Sequence, residues 1–292
     1  MFWYLHLFMR SSVLVPVLLG ALFGLFVGCS GGEKRTYRGP EGAYQKGMAQ
    51  FKEGDYKQAI RLFRAVFEYG RGNEWAPKAR FQLAMAQRKL GKHLVAASEF
   101  KRFTQLYRNS KMLPRAEFER ANSYYLRSPM YRLDQSDSRE AISLFRLFID
   151  RYPNHELVPK AKKKINELRA KLAHKKFAAG KLYERREMWN AATTVYEGTF
   201  DQYPGTPWAD NALLGAVRSY IRYADRSVQS KKADRYQKAI ENYNRLVQLF
   251  PESKLLDEAE QLYSEARRKL DQIQARSSTQ SIAQEDTSRG SS

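Results

Sequence analysis

Small and aromatic residues recur along the chain in a fixed register. Ala59, Ala96, Ala141, Ala192 and Ala239 are each followed, four residues on, by an aromatic: Phe63, Phe100, Phe145, Tyr196 and Tyr243. Residues four apart share one face of a helix, so each pair predicts a helix with a small residue beside a bulky one. Further along stand Gly70, Tyr107, Tyr152, Tyr203 and Phe250, and in the last three units a proline follows at once: Pro153, Pro204 and Pro251. Proline cannot continue a helix, so these mark helix ends. Alanine returns twenty residues after each heading alanine, at Ala79, Ala116, Ala161, Ala212 and Ala259. Gly47, Ala84 and Gly180 stand twelve residues before three of the heading alanines, and Glu53-Gly54-Asp55 and Leu90-Gly91-Lys92 read as turns between helices.

Five helical hairpins follow from this register. It resembles the tetratricopeptide repeat, in which each hairpin buries its apolar face only by stacking on the next. The expected fold is all-α, a tetratricopeptide-repeat α-solenoid of five helix-pair units whose first helices build the concave face. The repeat domain spans residues 41–272, divided into units 41–159 and 160–272. Every spacing between heading alanines exceeds the ~34 residues of that motif. Polar insertions at residues 127–138 and 224–236 explain two of the excesses, and one long helix between Ala161 and Trp189 should serve two units. The polar segment 273–292 is expected to be a disordered tail.

The opening of the chain has a different pattern. Arg10 precedes an uncharged run from Ser11 to Gly28, which predicts a secretory signal over residues 1–28. The nine residues before Arg10, MFWYLHLFM, are too apolar for an ordinary signal start, so translation is expected to begin at Met9. Phe26-Val27-Gly28-Cys29 resembles the lipobox of bacterial lipoproteins. That resemblance implies acylation of Cys29, cleavage before it, and a stable anchor through several acyl chains. Ser30 in the next position implies the outer membrane, with the protein facing the periplasm on a tether over residues 29–40. The alternative, a membrane-spanning helix, needs ~20 apolar residues and this run is short. Cys29 is the one cysteine, so no disulfide or thiolate metal site is available.

Charge changes the list of partners. Lys and Arg number 51 against 31 Asp and Glu, a net charge of +20. For an exported chain this points to acidic proteins or anionic headgroups, and nucleic acid is not expected. Residues 160–181 hold nine of the cations, among them Lys163 and Lys164, against the single acid Glu167. The stretch reads either as a solvated helix face or as a docking strip. His6, His93, His155 and His174 lack metal-ligand spacing, and no phosphate loop or nucleophile elbow is present. Glu184 and Glu187 read as surface charges. No enzyme activity, metal or cofactor is expected.

The third unit is more specific. It reads Ser128-Pro129-Met130-Tyr131-Arg132-Leu133-Asp134-Gln135-Ser136-Asp137, then, after Ser138, REAISLFRLFIDRYPN. This resembles the BamD lipoproteins of the barrel assembly machinery, in the form found in Bacteroidetes, and the likeness covers about residues 40–270. The resemblance implies a non-enzymatic subunit that holds the periplasmic domains of the insertase BamA. It also implies that the chain receives unfolded outer-membrane proteins, whose last strand commonly ends in an aromatic residue and a free carboxylate. Counting from Gly47, Ala84 and Ala121 puts eleven residues on the concave face. They are Tyr44, Met48 and Phe51; Lys78, Phe81, Met85 and Arg88; and Arg115, Phe118, Asn122 and Tyr125. Arg suits a carboxylate and Met adapts to varied sequences, although the aromatics could equally be core between helices. Partner contacts would fall on Asp134, Gln135 and Ser136, on the loop from Asp201 to Asp210, and on Lys163 and Lys164. The family often has basic residues near that loop, so acidic Asp201 and Asp210 would imply a different charge pairing; an ordinary solvated loop is the alternative. A second reading keeps the repeat and the anchor but makes the chain a secretin pilotin or an adaptor for cell-wall synthesis.

Overall fold

The computed structural model describes residues 37–289, with side chains for residues 37–276. The signal segment, Met9, Cys29 and most of the tether lie outside the described residues. From Gly39 onward the chain forms one compact unit that contains all of its core clusters. Its helices are α1 (Gly39–Glu53), α2 (Tyr56–Ala65), α3 (Ala76–Lys89), α4 (His93–Leu106), α5 (Leu113–Arg127), α6 (Ser136–Arg151), α7 (Val158–Arg185), α8 (Trp189–Gln202), α9 (Ala209–Asp225), α10 (Gln229–Leu249) and α11 (Leu256–Arg289). Each helix packs on the next in sequence. The first helices of neighbouring units also touch, α1 on α3, α5 on α7, α7 on α9 and α9 on α11. This is the α-solenoid of helix pairs that the register predicts, with the odd-numbered helices on the inner side.

The register works by close approach. All five heading alanines, and the five that follow twenty residues later, are fully buried. The aromatic of α2, Phe63, lies where a Cβ on Gly47 would come within 2.7 Å of its ring. Tyr196 of α8 is gripped twice, because a Cβ on Gly180 would approach it to 2.6 Å and one on Gly215 to 2.7 Å. In the second and third units Ala84 and Ala121 take the glycine's part, packed in clusters with Phe100 and Phe145. Burying one such ring contributes roughly 1.5–3 kcal/mol, and the small partner lets the helix axes come close enough to collect it.

The turns follow the residues present. Gly54 and Gly91 adopt φ of +89° and +73°, a region that costs glycine little. Asp55 then caps α2 by accepting from the Gln58 amide at 3.0 Å. In the fourth unit Glu187 occupies the matching position with φ +56°. Because successive helices alternate in direction, every turn from a first to a second helix lies on one edge of the stack. Every turn from a second helix to the next unit lies on the other.

α7 is a single helix of 28 residues. Its Ile165, Leu168 and Leu172 belong to the third unit's core, while Gly180 meets Tyr196 of the fourth. Most of residues 224–236 is helix, because the chain turns at Arg226–Val228 and α10 then starts at Gln229. α11 runs on to Arg289; the Ala, Gln, Arg and Glu of its last part are good helix formers.

Candidate binding surface

The inner side of the first three units carries most of the expected groove residues, though not all in the expected role. Tyr44 of α1 is half-buried, with its ring 5.9 Å from Phe63 and 5.2 Å from Trp75; burial raises its hydroxyl pKa. The exposed Lys78 places its Nζ 4.2 Å over the Trp75 ring. Met48 and Met85 are half-buried, and Phe51 meets Tyr56 edge-on at 5.3 Å. Arg115 is exposed, its guanidinium 5.7 Å from the Phe81 ring centre. Phe81 and Phe118 are corrections: both are buried, Phe81 against Phe100 and Phe103, Phe118 against Phe145 and Phe148. Their spacing from the small residue points them between helices, so they hold the units together and do not line a groove.

A polar ladder crosses α3, α5 and α7. Arg88 is ion-paired with the buried Glu119, and its second amino group lies 3.3 Å from the Met85 sulfur. Asn122 Nδ2 donates to the same carboxylate at 3.0 Å, which leaves Asn122 Oδ1 buried without a partner among the described residues. One turn on, Tyr125 donates to Glu167 of α7 at 2.5 Å, which pushes its pKa up to about 12. Lys164 sits 3.5 Å over the Tyr125 ring, and burial lowers its pKa. Glu119, Glu167 and Trp75 are the members that sequence reasoning misses. Trp75 comes from a connection and Glu167 from a neighbouring unit; Glu119 stands three residues before Asn122 on α5, but the Arg88 it pairs with lies on α3, which no spacing within one helix announces.

The insertion is a fixed strap. Gln135 is fully buried and donates to the carbonyls of Met130 and Leu133 at 2.9 and 3.1 Å, while its own oxygen accepts from Ser138 at 2.7 Å. Asp134 is exposed and accepts from the Ser136 amide at 2.8 Å; Ser136, by side chain and amide, holds the Asp134 pKa low. α7 clamps the strap from the other side. Lys171 donates to Ser128 Oγ at 2.6 Å and Lys175 to the Leu133 carbonyl at 2.6 Å. Tyr131 stacks on His174 at 3.7 Å, His174 on Trp208 at 3.9 Å, and Trp208 lies 5.3 Å from Phe177. Gln135 is therefore a structural residue and offers no partner contact.

The basic stretch divides accordingly. Lys164, Lys171, Lys175 and Lys176 serve contacts within the chain, Lys176 by donating to the Gly198 carbonyl at 2.9 Å. Burial lowers the pKa of Lys171 and Lys176. Lys160, Lys162, Lys163 and Lys181 are exposed. Of the loop acids, Asp201 accepts from Arg245 at 2.7 Å and Asp210 from Ser253 at 2.8 Å. Glu184 is not a surface charge, since it accepts from Tyr196 at 2.6 Å and from Arg218 at 3.1 Å. Beside the Asp201 loop an open groove of about 610 Å3 runs between α6, α7 and the end of α8, with Arg139, Arg146 and Arg169 on its walls and Ile142, Leu147, Leu172 and Tyr203 among its apolar lining.

Among the described residues no group of three or more acidic, histidine or cysteine side chains could hold a metal ion, and no helix is long and apolar enough to cross a membrane.

A family model named YfiO and described as an outer membrane lipoprotein matches residues 38–235. The outer membrane protein assembly factor BamD of Caulobacter vibrioides is 25% identical over 217 residues, covering 73% of this chain and 70% of that protein. BamD of Xylella fastidiosa is 29% identical over 97 residues, 33% of each chain. Among solved structures, the TPR2AB domain of yeast Sti1 in its Hsp90 complex is 16% identical and covers 84% of this chain and 96% of its own, with a TM-score of 0.39. The fold assignment rests on the helix packing and not on that superposition.

Proposed function

The chain belongs to the YfiO family of outer membrane lipoproteins, and from that premise we propose that it is a non-enzymatic subunit of the barrel assembly machinery. In this reading it scaffolds the periplasmic domains of BamA and receives unfolded outer-membrane proteins, held to the membrane by acylated Cys29. Family membership carries the reading. The inner face supports the client half: Tyr44, Met48, Met85 and Tyr125 are partly open, with Lys78 and Arg115 exposed beside them. An aromatic side chain ending in a carboxylate finds apolar contact and a cation there. The groove beside the Asp201 loop suits the insertase half, because Arg146 is exposed without a partner among the described residues and the apolar floor is open.

Co-purification from mildly solubilised envelopes tests the proposal. BamA is the expected partner. A secretin or a cell-wall synthase in its place would support the pilotin or adaptor reading. The client surface has its own test. Arg88 is a poor choice for it, since its removal strands the buried Glu119. Lys78 and Arg115 are exposed, so Lys78→Glu with Arg115→Glu should weaken an aromatic-ended peptide by about tenfold while the fold stays intact. Unchanged affinity would remove the client role from this face.

A further inference from the structure

We infer that the edge carrying the turns from first to second helices is a membrane-contact edge, which lays the solenoid on an anionic lipid surface independently of any acyl anchor. The inference rests on family membership at an outer membrane and not on the insertase or client readings.

The three most exposed apolar side chains among the described residues, and several others, fall at this edge, while Leu249 at 51% and Leu106 at 44% stand on the opposite one. Val228 is 70% exposed, Met130 61%, Leu133 55%, Leu94 50% and Met188 49%. All five lie at this edge, in the second to fifth units, at or beside the turns that precede α4, α6, α8 and α10. Single exposed apolar residues need no explanation, but a row repeated at one edge over four successive units does.

The charges at the same edge are one-sided. Lys89, Lys92, Arg185, Arg186, Lys231 and Lys232 have no carboxylate partner among the described residues. Most of the acids there have a cation partner, the exceptions among the described residues being Glu53 and Asp55 at the first turn and Asp234 near Lys231 and Lys232. Asp137 is taken by Arg127, Glu187 by Arg226 and Asp225 by Lys269. Glu184 is taken by Tyr196 and Arg218. Asp134, bonded to the Ser136 amide, lies 3.8 Å from Arg139. Six unpaired cations against three unpaired acids leave the edge with a net positive charge.

The shape of the row selects lipid over protein. A protein partner is held by a few side chains sunk in pockets. These side chains stand on turn tips one unit apart, with cations between them. Shallow apolar insertion beside Lys and Arg is how proteins hold an anionic interface. Leu133 is also held stiffly, because Lys175 and Gln135 both bind its carbonyl, so its exposed side chain loses little freedom on insertion.

Flotation of residues 39–292, which contain their own core, with phosphatidylglycerol and phosphatidylcholine vesicles tests this. Binding to the anionic vesicles that fades with salt is expected, with little to the zwitterionic ones. The triple variant Met130→Asp, Met188→Asp, Val228→Asp should lower the bound fraction by about tenfold. Lys231→Glu with Lys89→Glu, a change confined to exposed charge, should lower it as well. Leu249→Asp, at an equally exposed residue on the opposite edge, should leave it unchanged. No binding to anionic vesicles overturns the inference. So does equal loss from Leu249→Asp, or full binding by both edge variants. Loss of a protein partner from the edge variants without any vesicle binding would assign the edge to that protein and overturn it too.

Discussion

The first and fourth units place an aromatic ring at the same register position and use it differently. Phe63 fills the space beside Gly47 and meets the Tyr44 ring of α1, and its ring carries no polar group. Tyr196 lies between Gly180 of α7 and Gly215 of α9. Its hydroxyl donates to Glu184, which also holds Arg218 of α9, and Arg218 in turn reaches Glu258 of α11. One added oxygen turns a local packing contact into a link across three consecutive first helices. The register fixes where a ring goes, and the chemistry at its tip decides how far its influence reaches.

The largest test of this contrast is ring removal. Tyr196→Ala should cost about 4–5 kcal/mol by denaturant unfolding, since it empties a tight site and leaves Glu184 short of a donor. Phe63→Ala should cost less, about 3 kcal/mol. Equal costs would mean that the hydroxyl link contributes nothing. Next in size are the glycines. Gly215→Ala sets a Cβ against a fully buried ring and should cost about 1–3 kcal/mol. At Gly198 the added Cβ would meet Lys176 alone, its Nζ at 2.7 Å and its Cε at 3.3 Å, the movable end of a long side chain. Gly198→Ala should therefore be neutral or stabilising by up to about 1 kcal/mol, the helix-propensity gain. A matching loss at both sites would refute the idea of a specific grip.

The smallest effect is on pH. His93, near the first units, is shifted down by burial and by Arg88 and Arg127; His174, in the strap stack, by burial and by Arg132. In each case the folded pKa lies below the ordinary value of about 6.5, so the unfolded chain takes up the proton first. Their stabilisation is complete above that value and declines as pH falls through it. His174→Gln should flatten part of the decline in thermal unfolding measured from neutral to mildly acidic pH, and His93→Gln a separate part. Stability that rises on acidification in this window would reverse the assignment.

Much of the fold is legible in the sequence because it is periodic. The alanine and aromatic register, the Gly54 and Gly91 turns and the shared helix α7 all depend on residues close together in the chain. The binding surface was less legible. Periodicity says which face a residue occupies, and Tyr44, Met48, Met85 and Tyr125 are half-buried on their first helices. It does not say what lies opposite. Lys171 reaches Ser128 across the stack, and Glu119 takes Arg88 from the unit before. Such pairs exist only once the units are stacked. For the same reason the run of lysines on α7 reads as a free basic face when half of it is spent on Tyr125 of α5, on the strap and on α8. Phe81 and Phe118 failed differently, since a position on the inner helix is not a position on its open side.

The most direct test of the central claim is titration calorimetry of residues 39–292 against the soluble periplasmic domains of BamA from the same envelope. The account predicts saturable binding at one-to-one stoichiometry, weakened by Arg146→Glu in the groove beside the Asp201 loop. No binding by a chain that keeps its full helical content would contradict it.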